Sequence, residues 1–298
     1  MSFSADVKKE LCRQHISQRC CALAEAYGIL LYCNTFTTRE IRIITESDAF
    51  KTRLVHLFRK AFKMEFDSVP AEESGKGSFQ IWDRDKLKQI FDAFGYEVAS
   101  AVSLHVNFGL LEEEHCRIAF FRGAFLAGGS VTDPEKGYHL ELVTSHLNVS
   151  RETPALMRES DIMPKTSVRA GNQILYFKQS ESIEDFLTTI GAPVSAMEIM
   201  NAKVEKNLRG SVNRRVNCDA ANLDKAVAAA QEQIEAIRIL EARDALEDLP
   251  EKLKEAARLR VENPELTLAQ LAELCVPPVT KSSYNHRLRK LCELARKD

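Results

Sequence analysis

The chain has 298 residues, of which 28% are charged and 45% are hydrophobic, and its formal net charge is −2. This length suffices for two or three domains with cores of their own, and the ordinary apolar content excludes an intrinsically disordered chain. The sequence contains no apolar run of about 18 residues, as a membrane span requires, and no signal-peptide pattern at its start. We therefore expect a cytoplasmic protein without a membrane span.

The eight cysteines predict free thiols in a reducing compartment. No C-x-x-C pair occurs, and the adjacent Cys20 and Cys21 are poorly placed to ligate the same zinc ion. Most of the cysteines have apolar neighbours, as is usual for free thiols. We therefore expect no structural metal, no disulfide and no cofactor.

After an expected N-terminal helical extension over residues 1–19, two segments run through the same order of elements. The first copy, residues 20–95, opens with an apolar helix that ends near Cys33 and continues with a strand over 39–44. A helix with apolar residues at helical spacing follows between Leu54 and Phe62. Two strand-like pieces at 64–69 and 78–82 and a helix over 85–94 follow. We interpret the copy as α-β-β-α-β-β-α, in which the two strands of the first pair are not bounded separately.

The second copy, residues 115–190, repeats this order. A small-residue helix over 117–128 precedes a strand in which Tyr138, Leu140 and Leu142 alternate with polar residues. A polar helical stretch, strands at 165–169 and 173–177, and a helix ending at Gly191 follow. The predicted fold class is α+β, with a duplicated N-terminal domain over residues 20–192.

Residues 193–218 form a basic segment that we interpret as a connector. Between 203 and 215 a single glutamate opposes five basic residues, which are Lys203, Lys206, Arg209, Arg214 and Arg215. The segment is either a solvated connector or a flexible contact to phosphates. From Asp219 onwards the chain is expected to be wholly helical. Apolar residues from Leu223 to Ile237 step by four and three, which predicts a core or interdomain stripe.

The C-terminal part of this helical domain, residues 219–298, has the order expected of a helix-turn-helix. A support helix over 254–261 precedes a capping box in which Thr267 and Gln270 satisfy each other's helix-end groups. Pro277 and Pro278 stop the second helix. Thr280 can then cap a last helix over 281–295, whose apolar side is lined by Tyr284 and three later residues.

The other side of that last helix carries the candidate DNA-binding residues. Polar side chains able to bond to base edges are Ser282, Ser283, Asn285, His286 and Arg289, and those expected to hold phosphates are Thr280, Lys281, Arg287 and Lys290. The alternative is a solvated helical hairpin, in which His286 is an ordinary surface histidine.

The segment FRGAFLAGGS at 121–130 resembles the LAGLIDADG helix of homing endonucleases, and AYGILLYCN at 26–34 is its counterpart in the first copy. The resemblance implies two copies related by pseudo-twofold symmetry. In active enzymes of that family each helix ends with an acidic residue that holds a divalent metal. The matching positions here are Cys33 and Gly128, neither of which offers a side-chain oxygen. We therefore expect no catalytic residues and no nuclease chemistry.

Several longer strings resemble the WhiA family of Gram-positive regulators. They are RGAFLAGGSV with DPEKGYHLE, SVNR with VNC and AN, and PPVTKS followed by NHRLRKL. The resemblance implies a non-enzymatic, sequence-specific DNA-binding transcription regulator, linked in that family to sporulation, cell division and chromosome segregation. Actinobacterial members of the family work with an iron-sulfur partner protein.

Two other functions stay open at this stage, an active LAGLIDADG-type endonuclease and a regulator whose N-terminal domain binds a protein. The ancestral DNA-facing sheet surface offers a second DNA contact around Arg39, Arg42, Lys165 and Arg169. The expected partners are double-stranded DNA, at promoters or along the nucleoid, and a regulatory protein. Because one chain can supply both DNA contacts, we expect a monomer.

Overall fold

The computed structural model describes residues 2–71, 75–96 and 103–296, and the chain divides into two compact units, Met1–Lys206 and Asn207–Asp298. The elements up to the end of the first copy are α1 (Phe3–Cys12), α2 (Arg19–Tyr32), β1 (Thr35–Phe36), β2 (Ile41–Thr45), α3 (Asp48–Phe62), β3 (Gly77–Ile81) and α4 (Arg84–Ala93). The second copy comprises a 3₁₀ turn (Phe108–Leu111), α5 (Glu114–Gly128), β4 (Gly129–Val131), β5 (Leu140–Thr144), α6 (Leu147–Arg158), β6 (Lys165–Arg169), β7 (Asn172–Phe177) and α7 (Ser180–Ile190). The rest of the chain forms α8 (Pro193–Ala242), α9 (Glu251–Glu262), α10 (Leu268–Glu273) and α11 (Lys281–Ala295). The α+β class is confirmed.

Each copy builds its own antiparallel sheet. The described strands of the first copy pair in the order β1-β2-β3, and those of the second in the order β4-β5-β7-β6. The second copy has the complete predicted order of elements. In both sheets one side packs on helices, as shown by the buried Ile41 and Ile43 in β2 and the buried Leu140 and Leu142 in β5.

The strand predicted at 64–69 in the first copy is wrong. Only an isolated antiparallel bridge joins Ser68 to Gln80 there. Two features shorten the pairing. Pro70 has no N–H to donate to a ladder, and the Asp67 carboxylate instead accepts the backbone N–H groups of Trp82 and Asp83 at 2.7 and 2.8 Å.

Helices α2 and α5 pack against each other at the centre of the N-terminal unit. A methyl group added at Gly28 would lie 2.1 Å from the carbonyl oxygen of Phe120, and one added at Gly123 would lie 2.1 Å from that of Glu25. Only glycine lets two helix backbones approach so closely. The tight crossing fixes how the two copies are joined.

A buried ionic network surrounds this crossing. The Glu25 carboxylate on α2 accepts Nε and Nη2 of Arg53 on α3 at 2.5 and 2.7 Å, and Nη1 of Arg122 on α5 lies 3.5 Å away. Arg53 also donates to the carbonyls of Cys12, the last residue of α1, and of Gln14, two residues later. Charged groups that are buried away from water need hydrogen-bonded partners of opposite charge. The network therefore fixes the positions of α1, α2, α3 and α5 relative to one another.

The predicted connector over 193–218 is helical, which corrects the interpretation of this segment as flexible. Helix α8 runs without interruption from Pro193 to Ala242 and passes through the boundary expected at 218/219. After the first position, where proline is favoured, its 50 residues contain no proline and a single glycine, Gly210. The helix propensity of this segment therefore determines its structure, and its excess of basic residues does not interrupt the helix.

The apolar stripe predicted on α8 is buried only in its later part. Ala230 and Ile237 are buried, whereas Leu223 and Val227 are 65% and 49% exposed. Ile237 and Leu240 join a separate apolar cluster with α9, α10 and α11, which is the core of the C-terminal unit. None of the helices in the described part of the chain combines the length and hydropathy needed to cross a bilayer.

Candidate nucleic-acid interface

Helix α11 has a buried side and an exposed side, as the sequence predicts. The hydroxyl of Thr280 accepts the backbone N–H of Ser283 at 3.2 Å and so caps the helix. Tyr284, Leu288 and Leu291 are fully buried on one side. The opposite side, at positions i, i+3, i+4 and i+7, carries Ser282, Asn285, His286 and Arg289, of which Asn285 is half-buried and the other three are exposed.

The preceding helices hold α11 in a fixed position. The Thr267–Gln270 capping box that begins α10 is present, which confirms that prediction. The hydroxyl of Tyr284 donates to the carbonyl oxygen of Ala256 on α9 at 2.9 Å, and burial raises the pKa of this tyrosine. In the turn before α11, the N–H of Val279 donates to the carbonyl of Ala272 at 3.0 Å. The exposed side chains of α11 are therefore carried by a helix whose position is fixed by α9, α10 and the turn.

Arg287, which the sequence predicts as a phosphate contact, forms an ion pair within the C-terminal unit. Its side chain is only 13% exposed, and its Nη1 lies 3.0 Å from Oε2 of Glu255 on α9. The other oxygen of that carboxylate accepts the N–H of Val276 in the turn, at 2.8 Å. Glu255 on α9 therefore contacts both the turn and α11, and its ion pair with Arg287 helps to hold these elements together.

The remaining predicted residues of the tail are accessible. Thr280, Lys281, Ser283 and Lys290 are exposed. Lys290 lies 3.9 Å from Glu293 one turn later, which is a weak surface pair that does not bury the ammonium group. Eight of the nine predicted tail residues thus lie on accessible parts of α11 or its cap.

The predicted secondary surface is divided between the two sheets. Arg39 and Arg42 are exposed beside and on β2, and the Arg42 guanidinium lies 3.4 Å from the Thr35 hydroxyl. Lys165 is exposed on β6. Arg169, at the other end of β6, donates to both carboxylate oxygens of Glu141 on β5 at 3.0 and 3.1 Å. Part of the positive charge expected on this surface is therefore neutralised.

The basic residues of α8 fall into two groups. Lys203 pairs with Glu181 and lowers the pKa of that exposed carboxyl to about 2 by its hydrogen bond. Lys206 donates to the carbonyl of Pro134 and lies 5.0 Å from the centre of the Tyr138 ring. Both lysines thus make contacts within the N-terminal unit. The members of the set in the C-terminal unit, all exposed, are Arg209, Arg214 and Arg215.

The ends of α2 and α5 do not fit the metal of a LAGLIDADG nuclease. Cys33 donates to the carbonyls of Leu30 and Thr35 at 3.2 Å, and burial raises the pKa of its thiol to about 12. A side chain at Gly128 would begin 2.4 Å from the carbonyl oxygen of Val143. Neither position can present the hard oxygen ligand that a magnesium-type ion requires.

Comparison with known proteins identifies both halves of the chain. The profile of the WhiA LAGLIDADG-like domain matches residues 117–209, and that of the WhiA C-terminal HTH domain matches residues 212–295. A "Probable cell division protein WhiA" from Ruminiclostridium cellulolyticum is 37% identical over 305 residues, covering 99% of this chain and 97% of that protein. One of the same description from Alkaliphilus oremlandii is 36% identical, covering 100% and 98%.

A solved structure agrees with these matches. The crystal structure of full-length WhiA from Thermatoga maritima superposes with a TM-score of 0.58 at 26% identity, covering 100% of this chain and 99% of that one. The predicted resemblance and fold are thereby confirmed, with a LAGLIDADG-like domain followed by a helical helix-turn-helix region. The chain therefore belongs to the WhiA family.

Proposed function

We propose that this protein is a non-enzymatic, sequence-specific regulator of transcription that binds double-stranded DNA through α11. The observation that carries the proposal is the exposed side of α11, where Ser282, Asn285, His286 and Arg289 project away from the core. In helix-turn-helix proteins the second helix lies in the major groove and its first turns contact base edges. Asn and Arg side chains can make paired hydrogen bonds to adenine and guanine there.

The lack of nuclease chemistry is part of the same proposal. Hydrolysis assisted by metal ions needs several carboxylates around the ion, and Cys33 and Gly128 stand where the LAGLIDADG acids would be. The two central helices then serve to join the two copies, because their glycines create the close crossing. In this proposal the N-terminal unit retains a nuclease-like fold without the nuclease reaction.

The biological setting of the proposal comes from the relatives. Their names describe a probable role in cell division. We propose a corresponding role for this chain in a Gram-positive bacterium, exerted at promoters or along the nucleoid, with chromosome segregation or sporulation as the affected process.

Selection of bound duplexes from a random DNA pool tests this function. The full chain is used at near-physiological salt, because non-specific binding dominates at low salt. We expect one enriched motif. Salt-sensitive binding without any motif would contradict sequence-specific regulation and indicate general chromosome association, and an absence of binding would contradict the proposal as a whole.

Replacing Arg289 with alanine should lower affinity for the selected motif by about 1–3 kcal/mol and relax the preference at one base position. The reason is that an arginine facing a base edge contributes discrimination as well as charge. Affinities for the motif and for single-base variants, measured by fluorescence anisotropy, check this. Arg84→Ala, which removes an exposed arginine from α4, is the matched control and should bind normally. An equal loss for all sequences would make Arg289 a phosphate contact.

A second candidate function is protein binding by the N-terminal unit. The ion pairs of Arg169 with Glu141 and of Lys203 with Glu181 favour it, since they reduce the positive charge available to phosphates. If the sheet surface binds a protein, the double change Arg39→Glu and Arg42→Glu will leave DNA affinity and its salt slope unchanged. If it binds DNA, the slope of log affinity against log salt will fall by about 0.9 for each lost phosphate contact.

A further inference from the structure

Three thiols and one imidazole meet between the first turns of α2 and α5. They belong to Cys20 and Cys21 on α2 and to His115 and Cys116 on α5, and one ligand-capable atom of each lies within 4.8 Å of those of all the others. Nδ1 of His115 is 3.3 Å from Sγ of Cys21 and 3.3 Å from Sγ of Cys116. Within the ranges that the structure describes, this is the group of His, Cys, Asp and Glu side chains whose spacing suits a metal ion.

The packing of the two helices explains why these residues meet. The Gly28–Phe120 and Gly123–Glu25 approaches bring the middles of α2 and α5 together, and the backbone of Tyr32 lies against Gly128 at their C-terminal ends. The helices therefore run in the same direction, and their N-terminal ends also lie side by side. The cluster is at the end of the helix pair opposite to Cys33 and Gly128, so it is unrelated to the ancestral nuclease centre.

We propose that Cys20, Cys21, His115 and Cys116 form a zinc site that joins the two copies of the N-terminal unit. Three sulfurs and one imidazole nitrogen are a common ligand set for structural zinc, whereas calcium and magnesium prefer oxygen. With Zn–S bonds of about 2.3 Å and Zn–N bonds of about 2.0–2.1 Å, a tetrahedral ion separates its ligand atoms by about 3.6–3.8 Å. The observed spacing needs only small side-chain rotations to reach that geometry.

The cluster combines helix ends that favour anions with burial that raises the pKa of the Cys21 and Cys116 thiols, so a metal ion must displace their protons when it binds. All four residues lie in the first turn of a helix, where backbone N–H groups carry partial positive charge that favours anions. Neither helix has a side-chain hydrogen bond at its N-cap that would compete for those groups. His115 and Cys20 are exposed, and Cys20 also lines an open cleft of about 750 Å³, so an ion can enter.

Cys20 is the most weakly held of the four ligands. Its Sγ lies 3.2 Å from Oε1 of Gln18 and must leave that contact to bind an ion. Successive residues of a helix point about 100° apart, so the side chains of both adjacent pairs must rotate towards a shared ion, and Cys20 must in addition leave Gln18. Cys21, His115 and Cys116 are therefore the principal ligands, and Cys20 completes the tetrahedron.

Cobalt titration of the full chain, stripped of metal and kept reduced, tests the site. Co²⁺ replaces Zn²⁺ in such sites and reports thiolate ligands by a charge-transfer absorption and tetrahedral geometry by its visible bands. We expect one Co²⁺ per chain with both signatures, displaced by one equivalent of Zn²⁺. A titration without thiolate absorption would overturn the proposal.

Single variants locate the site. Cys21→Ser and Cys116→Ser should each lower zinc affinity at least about 100-fold, since the loss of a mere outer-shell partner already costs 10–100-fold. Cys20→Ser should have a smaller effect. Cys218→Ser, which changes an exposed cysteine on α8, is the matched control and should bind zinc normally. If all four variants bind alike, the ion is held elsewhere and the proposal fails.

The wild-type chain provides a test that does not depend on how the variants fold. Zinc binding to the folded state alone raises its stability in proportion to the logarithm of free zinc over Kd. The Tm of the transition assigned to the N-terminal unit should therefore rise with zinc and fall again with a chelator. A Tm that is indifferent to zinc would contradict a site that joins α2 to α5.

Discussion

Replacing Glu25 with alanine will destabilise the N-terminal unit by about 3–5 kcal/mol, the range observed when one partner of a buried ion pair is removed. The Glu25 side chain is 1% exposed and that of Arg53 is 4% exposed. After the change, the Arg53 guanidinium would keep its two carbonyl contacts but lose its counter-charge. Arg122, whose pKa burial already lowers, would lose its nearest carboxylate as well.

The size of this effect follows from the position of Glu25 rather than from the strength of one pair. The carboxylate lies on α2 beside Gly28, and its two arginines come from α3 and α5. Arg122 in addition donates from Nε to the carbonyl of Ile190 at the end of α7, at 2.7 Å. Loss of the charge therefore loosens several elements at once. The cost is much larger than for a surface pair such as that of Arg59 with Glu65.

Urea denaturation of the full chain, monitored by near-ultraviolet circular dichroism, measures the loss in the free energy of unfolding. Glu25→Gln keeps the shape and one acceptor, so we expect an intermediate loss. Glu40→Ala removes an exposed glutamate beside β2 and should stay within about 0.5 kcal/mol of the wild type. A loss below about 1 kcal/mol for Glu25→Ala would show that water or rearrangement compensates for the charge.

The helix-turn-helix could be predicted well because its signals are local. The Thr267–Gln270 box, the proline break and the Thr280 cap lie within a few residues of the helix ends that they determine. The period of buried residues on α11 likewise depends on one helix only. The ion pair of Arg287 could not be predicted in this way, because its partner Glu255 lies 32 residues earlier and charge alone does not distinguish a paired arginine from a free one.

The N-terminal unit shows the limit of local patterns more clearly. Its element order could be predicted, apart from the strand at 64–69. There Pro70, and the Asp67 carboxylate that accepts the backbone N–H of Trp82, limit the pairing to one bridge. The buried ionic network around Glu25 could not be predicted, since Glu25 and Arg122 are 97 residues apart. The thiol cluster could not be predicted for the same reason: Cys21 and His115 are 94 residues apart, and a C-x-x-C pattern indicates only ligands that are close together in the chain.

The continuity of α8 was within reach of the sequence. Fifty residues with one glycine and no proline beyond the first position predict an uninterrupted helix by propensity. The boundary expected at 218 instead rested on charge, which describes the surface of a helix and not where it ends. Composition shifts are therefore weaker indicators of a connector than the helix-breaking residues themselves.

The second large effect is expected for Gly123→Ala, which should destabilise the N-terminal unit by about 3 kcal/mol or more, at or above the upper range for overpacking. The added methyl group would lie 2.1 Å from the carbonyl oxygen of Glu25 and 3.0 Å from the backbone nitrogen of Ile29. Because these atoms belong to a helix backbone, no side chain can rotate out of the way. Helices α2 and α5 must separate, and every contact along them weakens.

Gly137→Ala is the matched control, since no atom lies within 4 Å of the position of its new methyl group and its backbone needs no left-handed conformation. Its unfolding midpoint should equal that of the wild type. Separation of the helices by Gly123→Ala would also pull the first turns of α2 and α5 apart, so cobalt binding at Cys21 and Cys116 should weaken together with stability. A variant that is as stable as the control would contradict the backbone contact, and one that loses stability but binds cobalt fully would show that the two ends of the helix pair move independently.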